Sequence, residues 1–174
     1  MVRHKNRWLL VMVELADEVR NRKQQSSSPS DSFPSRKEFT ARLRRTVSWC
    51  FGIAGEGAAC EMQIRFFDTE TRLVVVRVPR EHYRIIWSAL TLLLTRKQLL
   101  SLGEKTDAGD YQASVVSVHG SARTAKVATY RKLRELYRQK VEESRTVIPS
   151  DDKLPKKLCR ALQERLILVQ NNLN

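Results

Sequence analysis

At 174 residues with 41% hydrophobic side chains, the chain is sized for one domain, and it can bury roughly 70% of its unfolded surface without disulfides or metals. Its 32 lysines and arginines outnumber 19 aspartates and glutamates, and the net charge of +13 draws polyanions, nucleic acid first and an anionic membrane surface second. The three cysteines, Cys50, Cys60 and Cys159, include no CxxC pair, which argues against a disulfide framework and a structural zinc site and for reduced thiols in a nuclear or cytosolic protein.

Met1 to Arg7 carry the charge of a signal peptide, but Trp8 to Leu15 is short, includes Glu14 and lacks a small-residue cleavage site. A strand over Arg7 to Leu15 is expected instead, its continuous apolar run suiting a strand covered on both faces or centrally placed. Asn21 to Ser35, containing Gln24-Gln-Ser-Ser-Ser-Pro-Ser30, has too little apolar surface to offset its ordering entropy and is expected to be a mobile loop. Ser35 and Glu38 form a capping-box pattern ahead of Phe39, Leu43, Val47 and Cys50 at helical spacing, and Gly52, Gly55 and Gly57 are expected to end that helix. Glu61 to Phe67 alternates, placing Met62, Ile64 and Phe66 on one face, and Asp68-Thr-Glu-Thr71 turns into a returning strand at Arg72 to Val78.

Pro79-Arg-Glu81 starts a second helix with a broad apolar face of Tyr83, Ile86, Trp87, Leu90, Leu93 and Leu94, core by default. This is also the longest apolar run; interrupted by Arg84, it falls short of the ~20 residues that cross a bilayer. A fourth strand, Tyr111 to Val118, leads through His119-Gly120-Ser121 into a helix reaching about Ser144, and Pro149 and Pro155 break the chain before a last amphipathic helix with Leu158, Leu162, Leu166 and Val169. The order β-α-β-β-α-β matches an α+β, ferredoxin-like sandwich: a four-stranded antiparallel sheet, two helices on one face, and additional C-terminal helices. The expected division is residues 1–145, the ferredoxin-like domain with its loop at 21–35, and 146–174, a linker and amphipathic helix.

The third helix carries the most chemistry. Arg123, Val127, Arg131, Arg134 and Arg138 recur every three or four residues along one face, with Lys126, Lys132 and Lys140 widening it. Ala122, Ala125, Thr129, Leu133 and Leu136 form a separate apolar stripe, so the helix can pack and still show an arginine ridge. Basic side chains at a helix N-terminus oppose the dipole. A phosphate received by Gly120, Ser121 and the first amides, beside Arg123 and Lys126, resolves that conflict. Arg3, His4, Lys5 and Arg7 form a second cluster. The third strand holds no aromatic and Phe66-Phe67 lacks flanking glycines, so a base-stacking sheet face of the RNA-recognition type is not expected.

Nothing in the chain reads as an active site. His4, His82 and His119 fall in different elements, the aspartates 107, 110, 151 and 152 lie in expected loops, and Gly52 to Gly57 lacks the Gly-Lys-Ser/Thr ending of a phosphate-binding loop. Membrane-surface binding calls for large exposed apolar side chains, and the stripe with Ala122, Ala125 and Thr129 is weak for insertion.

Three segments in this order, Met1-Val-Arg-His-Lys-Asn-Arg-Trp-Leu-Leu10, Arg77-Val-Pro-Arg-Glu-His-Tyr-Arg-Ile-Ile-Trp-Ser-Ala-Leu90 and Val118-His-Gly-Ser-Ala-Arg-Thr-Ala-Lys126, resemble the Pop-five family of RNase P/RNase MRP protein subunits. The likeness spans about Met1 to Arg138; the Ser-rich stretch and the chain beyond Pro149 depart from it, as do Trp8 and Ser121, where Tyr and Thr are common. The resemblance implies a non-catalytic subunit, holding no cofactor itself, that binds the catalytic RNA of a particle. That RNA, with its Mg2+, removes the 5′ leader of precursor tRNA, and the RNase MRP particle processes ribosomal RNA precursors. A TIM-barrel-like subunit, the other proteins of the complex, a nuclear and nucleolar location and no membrane contact are implied with it. Carried over residue by residue, RNA contact falls on Arg3, Lys5, Arg7, Gly120, Ser121, Arg123 and Lys126; Arg131 and Arg134 join them from the helix face alone. The alternative is a structural protein of another RNA particle, such as a ribosome-assembly factor. A small stand-alone nuclease would need catalytic carboxylates or histidines.

Overall fold

The computed structural model describes residues 5–15, 33–103, 110–147 and 153–173. Arg3, Pro149 and most of the expected mobile loop, residues 21–32, lie outside them. The elements are β1 (Asn6–Leu15), α1 (Arg36–Glu61), β2 (Gln63–Asp68), β3 (Leu73–Pro79), α2 (Tyr83–Thr91), α3 (Arg96–Ser101), β4 (Tyr111–His119), α4 (Ala122–Val147) and α5 (Lys153–Asn172). All strand pairs are antiparallel, in the order β2-β3-β1-β4, the arrangement of a ferredoxin-like sheet.

The apolar run of β1 has a direct structural reason: β1 is central and both faces of the sheet are covered. Leu9, Val11, Val13 and Leu15 point to a core shared with Phe39, Leu43 and Val47 of α1 and Ile86 and Leu90 of α2. Trp8 and Leu10 point the other way, to a second core with Ala125 and Leu133 of α4 and Val169 and Leu173 at the end of α5. The two helices expected on one face are α1 and α2; the C-terminal pair occupies the opposite face.

The sequence expectation of one apolar face on β2 is corrected. Met62 and Ile64 belong to the first core, but Phe66 belongs to the second. The register explains this: Ile64 opposes Val76 and Phe66 opposes Val75, so Arg65 is an extra residue that reverses the alternation. Phe67 is thereby turned to the first core, where its ring lies 5.8 Å from Phe39 and 5.9 Å from Phe33. A second irregularity lies in β4, where Leu10 opposes Ser117 and Val11 opposes Val115, leaving Val116 out of the pairing.

The α1 helix starts as expected, with Glu38 N–H donating to Ser35 Oγ at 3.2 Å and Ser35 N–H to Glu38 Oε2 at 2.7 Å. It does not end at its glycines. Gly52, at φ 56 and ψ −143, takes the chain out of helical geometry, and the helix resumes to Glu61. The second stretch turns back on the first, so closely that a Cβ on Gly55 would lie 2.7 Å from the Val47 carbonyl oxygen. The apolar face of the second helix is divided as well: Ile86, Leu90 and Leu94 are buried, but Trp87 is 41% exposed, pointing outward beside Ser88 rather than into the core. Pro155 does not precede the last helix but lies in its first turn, where a missing N–H costs nothing.

A cluster of charges closes the far end of α5 over the β2–β3 turn. Arg165 lies 3.3 Å from Asp68 Oδ1 and 2.7 Å from Glu70 Oε2, and Tyr137 of α4 donates to Glu70 Oε1 at 3.3 Å. Asp68 is buried and also accepts from the backbone and hydroxyl of Thr71. The contacts of Arg165, then the charge of Lys140, hold the Glu70 carboxyl below its ordinary range against the effect of burial.

Candidate nucleic-acid interface

The α4 helix is anchored by Ala125, Thr129, Leu133 and Tyr137, all buried at i, i+4 spacing, with Thr129 Oγ1 closing on the Ala125 carbonyl at 2.8 Å. Helical periodicity then forces Arg123, Arg131, Arg134 and Arg138 outward, and all four are exposed. At ~1.5 Å per residue the ridge runs about 22 Å. Among the described residues none of these four forms an ion pair. Two of the lysines expected to widen the ridge are instead engaged: Lys132 lies 3.0 Å from Glu135 and Lys140 3.9 Å from Glu70. Lys126 is half-buried near the start of the helix.

The turn leading into α4 is built by Ser121, whose Oγ accepts from Thr124 N–H at 3.2 Å and lies 3.0 Å from Thr124 Oγ1. The hydroxyl therefore caps the helix, and what the turn offers an anion is backbone N–H and dipole rather than this side chain. A Cβ at Gly120 would stand 3.2 Å from Arg7 Nη1, the movable end of that side chain, so the approach marks where Arg7 lies rather than a need for glycine. The structure thus brings Arg7 of the amino-terminal cluster against the Gly120 turn. Antiparallel pairing of Trp8 with His119 places them together. Burial lowers the affinity of His119 for a proton, and its Nε2 lies 2.8 Å from Ser117 Oγ.

Between β4 and α4 lies a groove of about 580 Å³, lined by Val116, His119, Arg123, Val127 and Arg131. Its floor includes Leu10, and Val116 and Val127 are each 44% exposed. A comparable groove on α1 mixes Arg42, Arg44 and Arg45 with Glu38 and Glu56, two carboxylates where the β4–α4 groove has Glu135 beside Arg123, Arg131 and Lys132. Arg42 in that groove is buried over the Tyr111 ring at 4.1 Å.

Sequence reasoning placed Arg77, Arg80 and Arg84 in the second resembling segment but assigned them no RNA contact. They join Lys5 and Arg7 at one end of the sheet because the start of β1 pairs with the end of β3: Trp8 opposes Arg77, Asn6 opposes Pro79, and Arg80 N–H donates to the Lys5 carbonyl at 2.8 Å. The signal was the antiparallel topology itself, which folds Arg80 back beside Lys5. Trp8 is buried at this end, with Arg77 Cζ 6.0 Å from its ring centroid. With helices over both faces, Phe66 buried and Phe67 packed on the first core, the sheet presents no open aromatic face. His82 stands at the start of α2, remote in sequence from His119, and among the described residues no three His, Cys, Asp or Glu side chains gather where a metal could sit.

These features define a class: a ferredoxin-like α+β domain with added C-terminal helices over its second face and a ridge of unpaired arginines on α4. The Rpp14/Pop5 family profile matches residues 7–130, and the chain belongs to that family. It is 34% identical over 94 residues to the Ribonuclease P/MRP protein subunit POP5 of Schizosaccharomyces pombe, covering 53% of this chain and 67% of that protein. A chain of a cryo-EM structure of yeast Ribonuclease MRP superposes with a TM-score of 0.46 at 15% identity, over 82% of this chain and 98% of that one.

Proposed function

We propose that this chain is a non-catalytic protein subunit of the RNase P/RNase MRP ribonucleoprotein, binding and stabilising the catalytic RNA. Family membership supports the particle; the observation that carries RNA binding is the row of exposed, unpaired arginines on α4, held in line by a buried stripe. Each phosphate neutralised there releases counterions, so affinity would come largely from the backbone of the RNA and fall steeply with salt. In this reading Arg123, Arg131 and Arg134 take phosphates along the ridge, with Lys126 beside them. Arg7, Lys5 and the Gly120–Ser121 turn take the RNA at the sheet end, and Arg3 extends that contact. Phosphate contacts fix register and orientation rather than reading sequence, which suits a protein that supports a folded RNA.

Cleavage of precursor tRNA, or of ribosomal RNA precursors in the MRP particle, would then belong to the RNA and its Mg2+. The protein's place is in a nuclear and nucleolar complex beside a TIM-barrel-like subunit. The test is purification of the tagged chain from its own cells, sequencing of the co-purified RNA and assay of the eluate. Enrichment of RNase P or MRP RNA together with 5′ leader removal is the expected result. Recovery of ribosomal precursors in assembly particles, with neither RNA enriched, would overturn it in favour of a ribosome-assembly role.

A further inference from the structure

The ridge on α4 leaves one basic group unexplained. Tyr83 opens α2 and belongs to neither apolar core. Arg84 Nε donates to its hydroxyl at 3.4 Å, and the Arg84 guanidinium stands 6.0 Å from its ring centroid. The hydrogen bond and charge of Arg84, then the charges of Arg7 and Arg80, hold the phenol below its ordinary range. The Arg80 amide is tied to the Lys5 carbonyl at 2.8 Å, and Arg7 Nη1 lies 3.2 Å from where a Gly120 Cβ would stand. Among the described residues none of Lys5, Arg7, Arg80 and Arg84 is ion-paired, and neighbouring Glu81 is exposed.

Guanidiniums alone would suit any anion, a carboxylate as well as a phosphate. An aromatic ring set among them narrows the choice to a ligand that carries both negative charge and a flat π-face. Both faces of the sheet are closed by helices, so a stacking contact has to lie off the sheet; Trp49 and Trp87 are exposed as well, but half-buried Tyr83 at the start of α2 is the aromatic that feels the charges of Arg84, Arg7 and Arg80 together. We propose that Tyr83 is the stacking platform for one unpaired base of the bound RNA, with Arg7, Arg80 and Arg84 holding the phosphates that flank that nucleotide. This rests on the RNA-binding reading above and adds to it a contact with single-stranded RNA, distinct from the phosphate row on α4.

The experiment measures binding of the full-length protein to the RNase P RNA of its own cells, transcribed in vitro, across a KCl series. Tyr83→Phe, Tyr83→Leu, Arg84→Gln and the ridge variant Arg131→Gln are compared, each checked by circular dichroism for a native fold. Loss of the ring in Tyr83→Leu should weaken binding by about 5- to 150-fold, the range for one base–aromatic stack, and Tyr83→Phe should stay close to wild type. Arg84→Gln should reduce the log–log salt slope by about 0.7 to 0.9. Ultraviolet crosslinking should join Tyr83 to an unpaired nucleotide. If Arg131→Gln weakens binding while Tyr83→Leu does not, the platform is refuted and the RNA-binding reading stands. Equal loss in Tyr83→Phe and Tyr83→Leu would assign the contact to the hydroxyl and refute stacking. Should Tyr83→Leu instead release a protein subunit from the purified particle at unchanged RNA affinity, the site is a protein dock. Failure of the wild-type chain to bind the RNA at all would overturn both readings.

Discussion

Replacing Arg165 by Ala tests whether the last helix is locked onto the domain by charge. The side chain reaches Asp68 at 3.3 Å and Glu70 at 2.7 Å, and it is itself 29% exposed. Removal leaves Asp68, 5% exposed, with its Thr71 bonds alone among the described residues, and a buried carboxylate that loses a charged partner is the costly part. The Glu70 contact is more open to water and adds little. One charge-assisted bond to a buried carboxylate contributes about 1.5–3 kcal/mol, so the loss should be near 2 kcal/mol. With a urea dependence of ~2 kcal/mol per molar, the unfolding midpoint should fall by about 1 M. The double variant Asp68→Asn/Arg165→Ala should recover part of the loss, a positive coupling in the cycle. The pH dependence has a definite sign. Because Glu70 is depressed in the fold, its contribution is present above the unfolded carboxylate pKa and is lost as pH falls through the lower folded value. Wild type should therefore lose stability more steeply than Arg165→Ala below about pH 4.5. A midpoint unchanged by Arg165→Ala at pH 7, with no coupling to Asp68, would refute the lock.

Three other outcomes follow from single contacts. Arg123→Ala should weaken RNA binding and lower its log–log salt slope by about 1, measured by fluorescence anisotropy; an unchanged slope removes Arg123 from the interface. Gly55→Ala should destabilise by at least about 1–3 kcal/mol in thermal melts, because its Cβ would meet a backbone oxygen at 2.7 Å that cannot swing aside. Tyr111→Phe should leave stability unchanged or raise it by up to ~1 kcal/mol: its buried hydroxyl has no hydrogen-bond partner among the described residues, while the Arg42 guanidinium 4.1 Å over its ring is retained.

Much of the fold was legible in the residues, because element order and apolar periodicity are local properties. The continuous run in β1 pointed to a strand covered on both faces or centrally placed, and β1 is both; the stripe with Ala125, Thr129 and Leu133 announced the packed side of α4. What was not legible depends on register between strands. Nothing in Gln63-Ile-Arg-Phe-Phe67 marks Arg65 as an extra residue; only its pairing with Val76 and Val75 shows that Phe66 and Phe67 serve different cores. Gly52 was readable as a break, but its continuation into a second helical stretch depends on Gly55 fitting against Val47. The candidate interface divides the same way. The arginine ridge follows from helical spacing, whereas the meeting of Arg7, Gly120, Arg80 and Tyr83 arises from residues far apart in the chain that antiparallel pairing brings to one sheet end.

The buried row beneath the ridge also bears on how binding would be felt by the protein. Because Ala125, Thr129, Leu133 and Tyr137 fix the α4 backbone, the arginines above it have already lost their main-chain freedom on folding. A polyanion meeting them has only side-chain rotamers left to order, unlike one that must fold a disordered basic tail as it binds. The ridge is thus closer to a ruler than a brush: the backbone points that carry its charges keep fixed separations, and under the proposed function it would favour RNA whose phosphates already stand at matching intervals over flexible RNA of the same charge.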